Sequence, residues 1–284
     1  MRRYLLVRVL FALSWVLLVW LPVLPTYAEG PTSVLTRSNN NSRTGANLNE
    51  VVLNTSNVNV SQFGKLFSRP VDGQIFAQPL YVPDVNIPDQ GTHNVVYVAT
   101  QHNSVYAFDA DDPNASTPLW QVSLGASVPS SNFGPPGYAD IQVEVGVTGT
   151  PVVDPNTGTL YVVATTQDSD AIRHRLHALD IHTGAEKLGG PVVIAGSVSS
   201  AGGQGNHVVF DSHQQLQRPG LLLSNGVVYI AFDSYGDWEP YHGWIFGYDA
   251  ATLQSLYIYN TTPSGAQGAI WQSGQGLATD GADV

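Results

Sequence analysis

Cysteine is absent from all 284 residues. This removes thiol catalysis, Cys-ligated zinc and Cys-ligated iron–sulfur clusters from the chain. It does not argue against export, because a domain of this size can be held by its core without disulfides. Basic side chains are scarce, with 11 Lys and Arg against 22 Asp and Glu. Three of the 11 are Arg2, Arg3 and Arg8, so the rest of the chain carries 8 basic and 22 acidic residues, a net charge near −14. Such a surface repels phosphate backbones and predicts no nucleic-acid partner. Helical periodicity is missing too: beyond residue 28 no segment sustains an apolar spacing of 3.6.

A long apolar run occurs once, at residues 10–24, behind the basic start. It is shorter than the roughly 20 residues that span a bilayer. Pro22 and Pro25 interrupt it, and Thr26-Tyr27-Ala28 places small residues where a signal peptidase reads. Residues 1–28 therefore read as a cleaved export signal, which predicts a periplasmic or extracellular protein with no stable membrane span. Residues 29–62, rich in Asn, Ser and Thr, read as an extended leading segment, partly ordered at best.

What the chain does contain is a recurring phrase: VYAFDADD at 105–112, LHALDIHTG at 176–184 and IFGYDAATL at 245–253. Ala107, Ala178 and Gly247 share one position, and Asp109, Asp180 and Asp249 follow two residues later, separated by 71 and 69 residues. A near-constant period of this kind marks a structural repeat. Aligned on it, short β-branched and aromatic runs fall into four-strand units at about 77–125, 148–196 and 217–262. A four-stranded sheet with two apolar faces cannot bury them alone, whereas radial stacking buries both. The predicted fold is an all-β propeller of antiparallel blades.

The ends suggest an incomplete ring. Residues 269–284 begin a further unit without its later strands, and residues 63–73 resemble a fourth strand without the first three. About three and a half units fall short of a closed ring of roughly six to eight blades.

The phrase resembles the A-x-D-x-x-T-G-x-x-x-W pattern of the bacterial PQQ-like, quinoprotein-type repeats. Ala178, Asp180, Thr183 and Gly184 are in register with it, with Leu188 in the Trp place; Trp120 follows Asp109 after a longer turn, and Tyr257 takes that place in the third repeat. VDGQIFAQPLYV, THNVVYVAT and QLQRPGLLLSNGVVYIAF resemble an exported subgroup often labelled pyrrolo-quinoline quinone proteins. The resemblance implies the blade fold, and by family alone PQQ and calcium as cofactors of an alcohol or sugar dehydrogenase. Quinoprotein alcohol dehydrogenases use a vicinal Cys pair, calcium held by Glu and Asn, and an Asp base. This chain lacks the Cys pair, and no Glu, Asn and Asp set stands out in its repeats. The leading expectation is thus a binding or scaffolding propeller, taking a small molecule, a glycan or an envelope protein.

Propellers bind ligands at the axis or in loops over one face. Near the first strands the polar candidates are Gln78, Glu144, Thr150, Gln217, Arg218 and Gln272. Glu144 and Arg218 are able to hold a ligand or each other. In the loops, His213 and His242 suit acid–base or metal chemistry, but no pair has a zinc-motif spacing, and no metal site is expected. Trp238 and Trp244 offer sugar-stacking surfaces, although aromatics in a propeller more often fill the gap between blades.

Overall fold

The structure, a computed structural model, describes residues 32–169, 171–200 and 207–284; the export-signal stretch lies outside the described residues. Three antiparallel blades follow one another, each with four strands in sequence order, and the third gains a short fifth strand, Gln215–Leu216, paired with Asp233 and Ser234. Blade 1 comprises Leu80–Ile87, Gly91–Ala99, Ser104–Asp109 and Trp120–Ser123. Blade 2 comprises Val152–Asp154, Thr159–Asp168, Ala171–Asp180 and Val192–Val193. Blade 3 comprises Leu222–Ser224, Val227–Ser234, Trp244–Asp249 and Ser255–Asn260. Helix among the described residues is limited to short 3-10 turns at Ser130–Asn132 and Gln272–Gly274.

Why these runs read as continuously apolar is visible in Thr159–Asp168. Leu160, Val162 and Ala164 point into the core shared with blade 1, beside Tyr97 and Trp120. Tyr161 and Val163 point the other way, into the core shared with Phe232, Trp244 and Phe246 of blade 3. A strand buried on both faces loses the polar alternation of a half-exposed one.

The recurring phrase is the third strand of each blade, and its residues act as expected. Asp109 Oδ1 accepts the amides of Asp111 and Asp112 at 2.8 and 2.9 Å, and Asp180 and Asp249 hold their own turns likewise. These are Asx turns. Ala107 pairs across the sheet with Trp120, as Gly247 does with Tyr257. Trp120 Nε1 donates to Ile181 O of blade 2 at 3.0 Å, and its ring covers Gly184 so closely that a Cβ there would lie 2.8 Å away. Tyr257, in the same place on blade 3, is 57% exposed.

The polar leading segment is more ordered than its composition suggests. Val34 bridges to Tyr81 in the first strand of blade 1, and Leu35 O accepts Val153 N of blade 2. Arg43 and Asn41 then reach Leu221 O and Leu223 O of blade 3. The segment is a strap along the three first strands. Its Asn, Ser and Thr side chains serve as substitutes for a sheet ladder, which is why no apolar period announces it.

Arg43 is the strap's anchor, donating to Leu277 O, Leu221 O, Arg37 O and Thr36 Oγ1 at 2.6–2.9 Å. Burial, with Arg37 nearby, lowers its pKa to about 10. Arg43→Ala strands buried carbonyls and is expected to destabilise the chain by roughly 1.5–2 kcal/mol, read as a shift of the urea midpoint. A variant indistinguishable from the parent would show the strap to be idle.

Residues 65–71 do not form a strand; Phe67, Arg69 and Val71 line an apolar hollow with Val96, Val98 and Phe108 of blade 1. Residues 269–284 also contain no strand. Gly276 rests on Gly220, where a Cβ would come within 2.2 Å of the carbonyl oxygen, and Leu277 is buried against Leu222 and Ala231.

Candidate functional site: a cleft between Arg218 and Asp233

The long connection over residues 126–141 carries enough apolar side chains to fold down rather than remain a spacer. Val128, Phe133, Ile141 and Val145 bury against Leu216 and Tyr235. Phe133 stacks on Tyr235 at 4.2 Å, and Tyr138 meets Tyr235 edge-on at 5.9 Å. Above this floor lies a cleft of about 570 Å³. Its walls include Phe76, Tyr138 and Trp271, and its charged groups are Asp140, Asp233, Asp237 and Arg218.

Arg218 makes no hydrogen bond or ion pair with any described residue, and its Nη1 is buried without a partner. Its guanidinium lies 5.9 Å from the Phe76 ring centroid and under Gly274. Burial, with Arg37 nearby, lowers its pKa from the ordinary value. Asp233 closes the apolar strand Val227–Ser234 and is 8% exposed. Burial raises its carboxyl to about 6, Asp237 adds repulsion, and the Ser234 amide and Arg218 oppose the rise. Arg218 and Asp233 share the cleft, yet no ion pair within 4.0 Å joins them.

Of the sequence candidates, only Arg218 enters this cleft. Thr150 is fully buried between blades, accepting Gln78 N on Oγ1 and Leu221 N on its carbonyl at 3.0 and 2.9 Å. Gln217 is also buried, donating to Pro219 O at 2.6 Å. Gln78 Oε1 holds Ser38 N of the strap. Thr150 and Gln78 thus join blades and strap, whereas Gln217 folds back on its own segment. Glu144 accepts from Ser127 Oγ and His102 Nδ1 at 2.5 and 3.0 Å, not from Arg218. That hydrogen bond raises the pKa of His102. Gln272 is exposed in a left-handed turn with φ 47°.

The loop candidates disperse as well. His213 Nε2 bonds to Asn132 O, and its ring meets Trp238 edge-on at 5.1 Å. His242 Nδ1 pairs with Thr262 Oγ1 at 2.9 Å, and burial lowers its pKa. Trp244 is 0% exposed, stacked on Phe246 and edge-on to Phe210, so it cannot stack on a sugar. Among the described residues no group of three His, Asp or Glu side chains is placed to hold a metal ion. A second hollow, of about 430 Å³ beside Asp84, Asp109 and Asp111, has two of its acids engaged: Asp109 on turn amides and His93, Asp111 on Asn94.

Composition gave no warning of a buried polar belt that runs to the Asp233 carbonyl. Gln101 bonds Thr148 and Gly146 N, and Asn103 donates to Thr165 O at 2.7 Å. Thr165 Oγ1 meets His174 Nδ1, and His174 Nε2 meets Gln215 O at 2.7 Å. The Gln215 amide, oriented to donate, reaches the carbonyls of Asp233 and His242. Burial lowers the His174 pKa to about 4, leaving the ring neutral.

No protein-family model and no curated protein matches the sequence. Solved structures do. A europium-containing methanol dehydrogenase matches with a TM-score of 0.51 and 19% identity, covering 82% of this chain and 32% of that one. The fold is shared. Quinohemoprotein alcohol dehydrogenases from Pseudomonas putida HK5 and Comamonas testosteroni match at TM-scores of 0.40 and 0.42, with 21% and 13% identity. They cover 69% and 82% of this chain, and 22% and 41% of their own. The chain thus spans about a third of the methanol dehydrogenase's length. The cleft is lined by loops that lie outside the blade strands and by the end of the strand Val227–Ser234. Trp271, Asp140 and Tyr138, which sequence reasoning missed, come from such loops and carry no periodic signal. Asp233 did leave a trace, as an acid ending an otherwise apolar strand.

Proposed function

We propose that this chain is an exported propeller module that binds a small organic ligand in the cleft between Arg218 and Asp233. One observation carries the reading: two largely buried, opposite charges face one cleft without pairing. Buried charges are costly when uncompensated, so a chain that keeps both apart gains most when a ligand satisfies them. The chain's acidity and the likeness of residues 1–28 to a signal support export. N-terminal sequencing of protein recovered outside the cytoplasm should begin at Glu29; an intact Met1 there would overturn cleavage.

A quinone with calcium fits the described residues poorly. PQQ carries several carboxylates, and the cleft meets them with three aspartates and one arginine. No described acid cluster is placed to hold the metal. The likeness to a dehydrogenase therefore supports the scaffold, and binding is the activity we put forward.

Thermal-shift screening of the mature protein against organic acids, amines, amino acids, sugars and PQQ tests this. At least one compound should raise the melting temperature, and Arg218→Gln should weaken it about tenfold or more, as loss of a charge-assisted contact does. Hits that ignore Arg218→Gln, or no hits, would sink the cleft as the site.

A further inference from the structure

The charge pattern of the cleft goes further than the existence of a ligand and, resting on the reading above, selects its class. The geometry points to a small zwitterion, an α-amino acid with an apolar side chain, whose carboxylate meets Arg218 and whose ammonium meets Asp233. Three classes compete. A simple anion satisfies Arg218 but faces Asp140, Asp233 and Asp237 across the same space. A simple cation suits the acids and leaves the guanidinium without a partner, with Nη1 already buried. A neutral polyol donates and accepts hydrogen bonds yet compensates neither charge. A zwitterion completes both.

The two charged groups are near enough to feel each other, since Arg218 holds down the Asp233 titration, yet no contact within 4.0 Å joins them. That leaves room for a molecule bearing both charges a few bonds apart. The aromatic walls suit the same ligand. Phe76, Tyr138 and Trp271 line the cleft with aromatic rings, the kind of surface that attracts an ammonium group, and Ile141 and Leu216 line it with apolar side chains. Trp271 is 56% exposed, so the mouth stays open beside these charges. Guanidinium is the group of choice for planar carboxylate recognition because its donors match both oxygens.

Titration calorimetry at pH 7, where Asp233 is largely ionised and an amino acid amide still carries much of its ammonium charge, tests the assignment on the mature protein. The probes are L-phenylalanine, L-phenylalaninamide, N-acetyl-L-phenylalanine and glucose. The amino acid should bind, and each blocked analogue should bind at least tenfold more weakly. Arg218→Gln should erase the preference for the amino acid over its amide, and Asp233→Asn the preference over its N-acetyl form. Arg218→Lys retains the charge and keeps part of the first preference, which separates a lost contact from a misfolded variant. Glucose or a blocked analogue binding as tightly as the amino acid overturns the zwitterion, as does the absence of amino-acid binding at millimolar concentration. If such competitors, or other hits of the broader screen, still depend on Arg218, the cleft reading stands and only the ligand class falls. If no compound depends on Arg218, both fall.

Discussion

Trp244→Ala is expected to destabilise the chain by about 3–5 kcal/mol, the range for removing a large aromatic from a packed core. Trp244 is 0% exposed, stacks on Phe246 with centroids 5.9 Å apart, and meets Phe210 edge-on at 5.6 Å. Alanine leaves a cavity between blades 2 and 3 that neighbouring strands, fixed by their own ladders, cannot close. The indole Nε1 is itself buried without a partner, so the native residue already bears a desolvation cost. Trp244→Phe removes that donor along with some volume, and should cost under about 1.5 kcal/mol. Urea unfolding of both variants decides the role. A sugar-stacking residue would behave in reverse, losing glycan binding in the alanine variant with stability intact. A destabilisation below about 1 kcal/mol for Trp244→Ala would contradict its place in the core.

That contrast shows how far the sequence could be read. The blades were legible because their information is local and repeated: an apolar run, a small residue facing the next sheet, an Asp that caps its own turn. Ala107, Ala178 and Asp109 serve neighbours a few residues away or on the adjoining blade. Trp244 was legible as an aromatic in a blade, but its position next to Pro240 and His242 also suggested a loop surface. Its burial follows from Phe210, in a segment whose approach to blade 3 is non-local. The candidate site was mostly illegible for the same reason. Arg218 was found because it precedes a first strand. Its companions Tyr138, Asp140 and Trp271 lie tens of residues away in irregular loops, where no period fixes which side chains turn inward. Thr150 and Gln217 read as channel lining because they are polar residues near an axis; in the fold Thr150 holds the amide of Gln78, and Gln217 bonds the Pro219 carbonyl of its own segment.

Acid titration should separate the cleft from the core, because the two carry opposite linkages. His174 is held neutral by burial with its pKa lowered to about 4, against 6.5 when the chain is unfolded. Between those values the unfolded chain binds a proton that the folded chain does not. Its stabilisation is therefore complete above pH 6.5 and drains as pH falls toward 4, by about 3 kcal/mol in all. Asp233 runs the other way. Its carboxyl is raised from 3.8 to about 6, so the folded chain binds the extra proton, and stability is lost as pH climbs through that window. In the parent the two slopes largely offset each other between pH 4 and 6. Asp233→Asn removes one of them. The variant should gain about 2–3 kcal/mol at pH 8, and should lose stability on acidification more steeply than the parent. Denaturant midpoints of the two proteins at pH 8, 6 and 4.5 give the comparison, in which the remaining titrating groups cancel. An unchanged midpoint at pH 8 would mean that Asp233 is well solvated when ionised, and the cleft would lose its reason to want a cation. A gain would show the chain keeping a carboxylate that weakens its own fold, at the one place where an unpaired arginine faces it. An acid retained at such a cost, in the same cleft as a guanidinium it does not pair with, is what a ligand bound between them would account for.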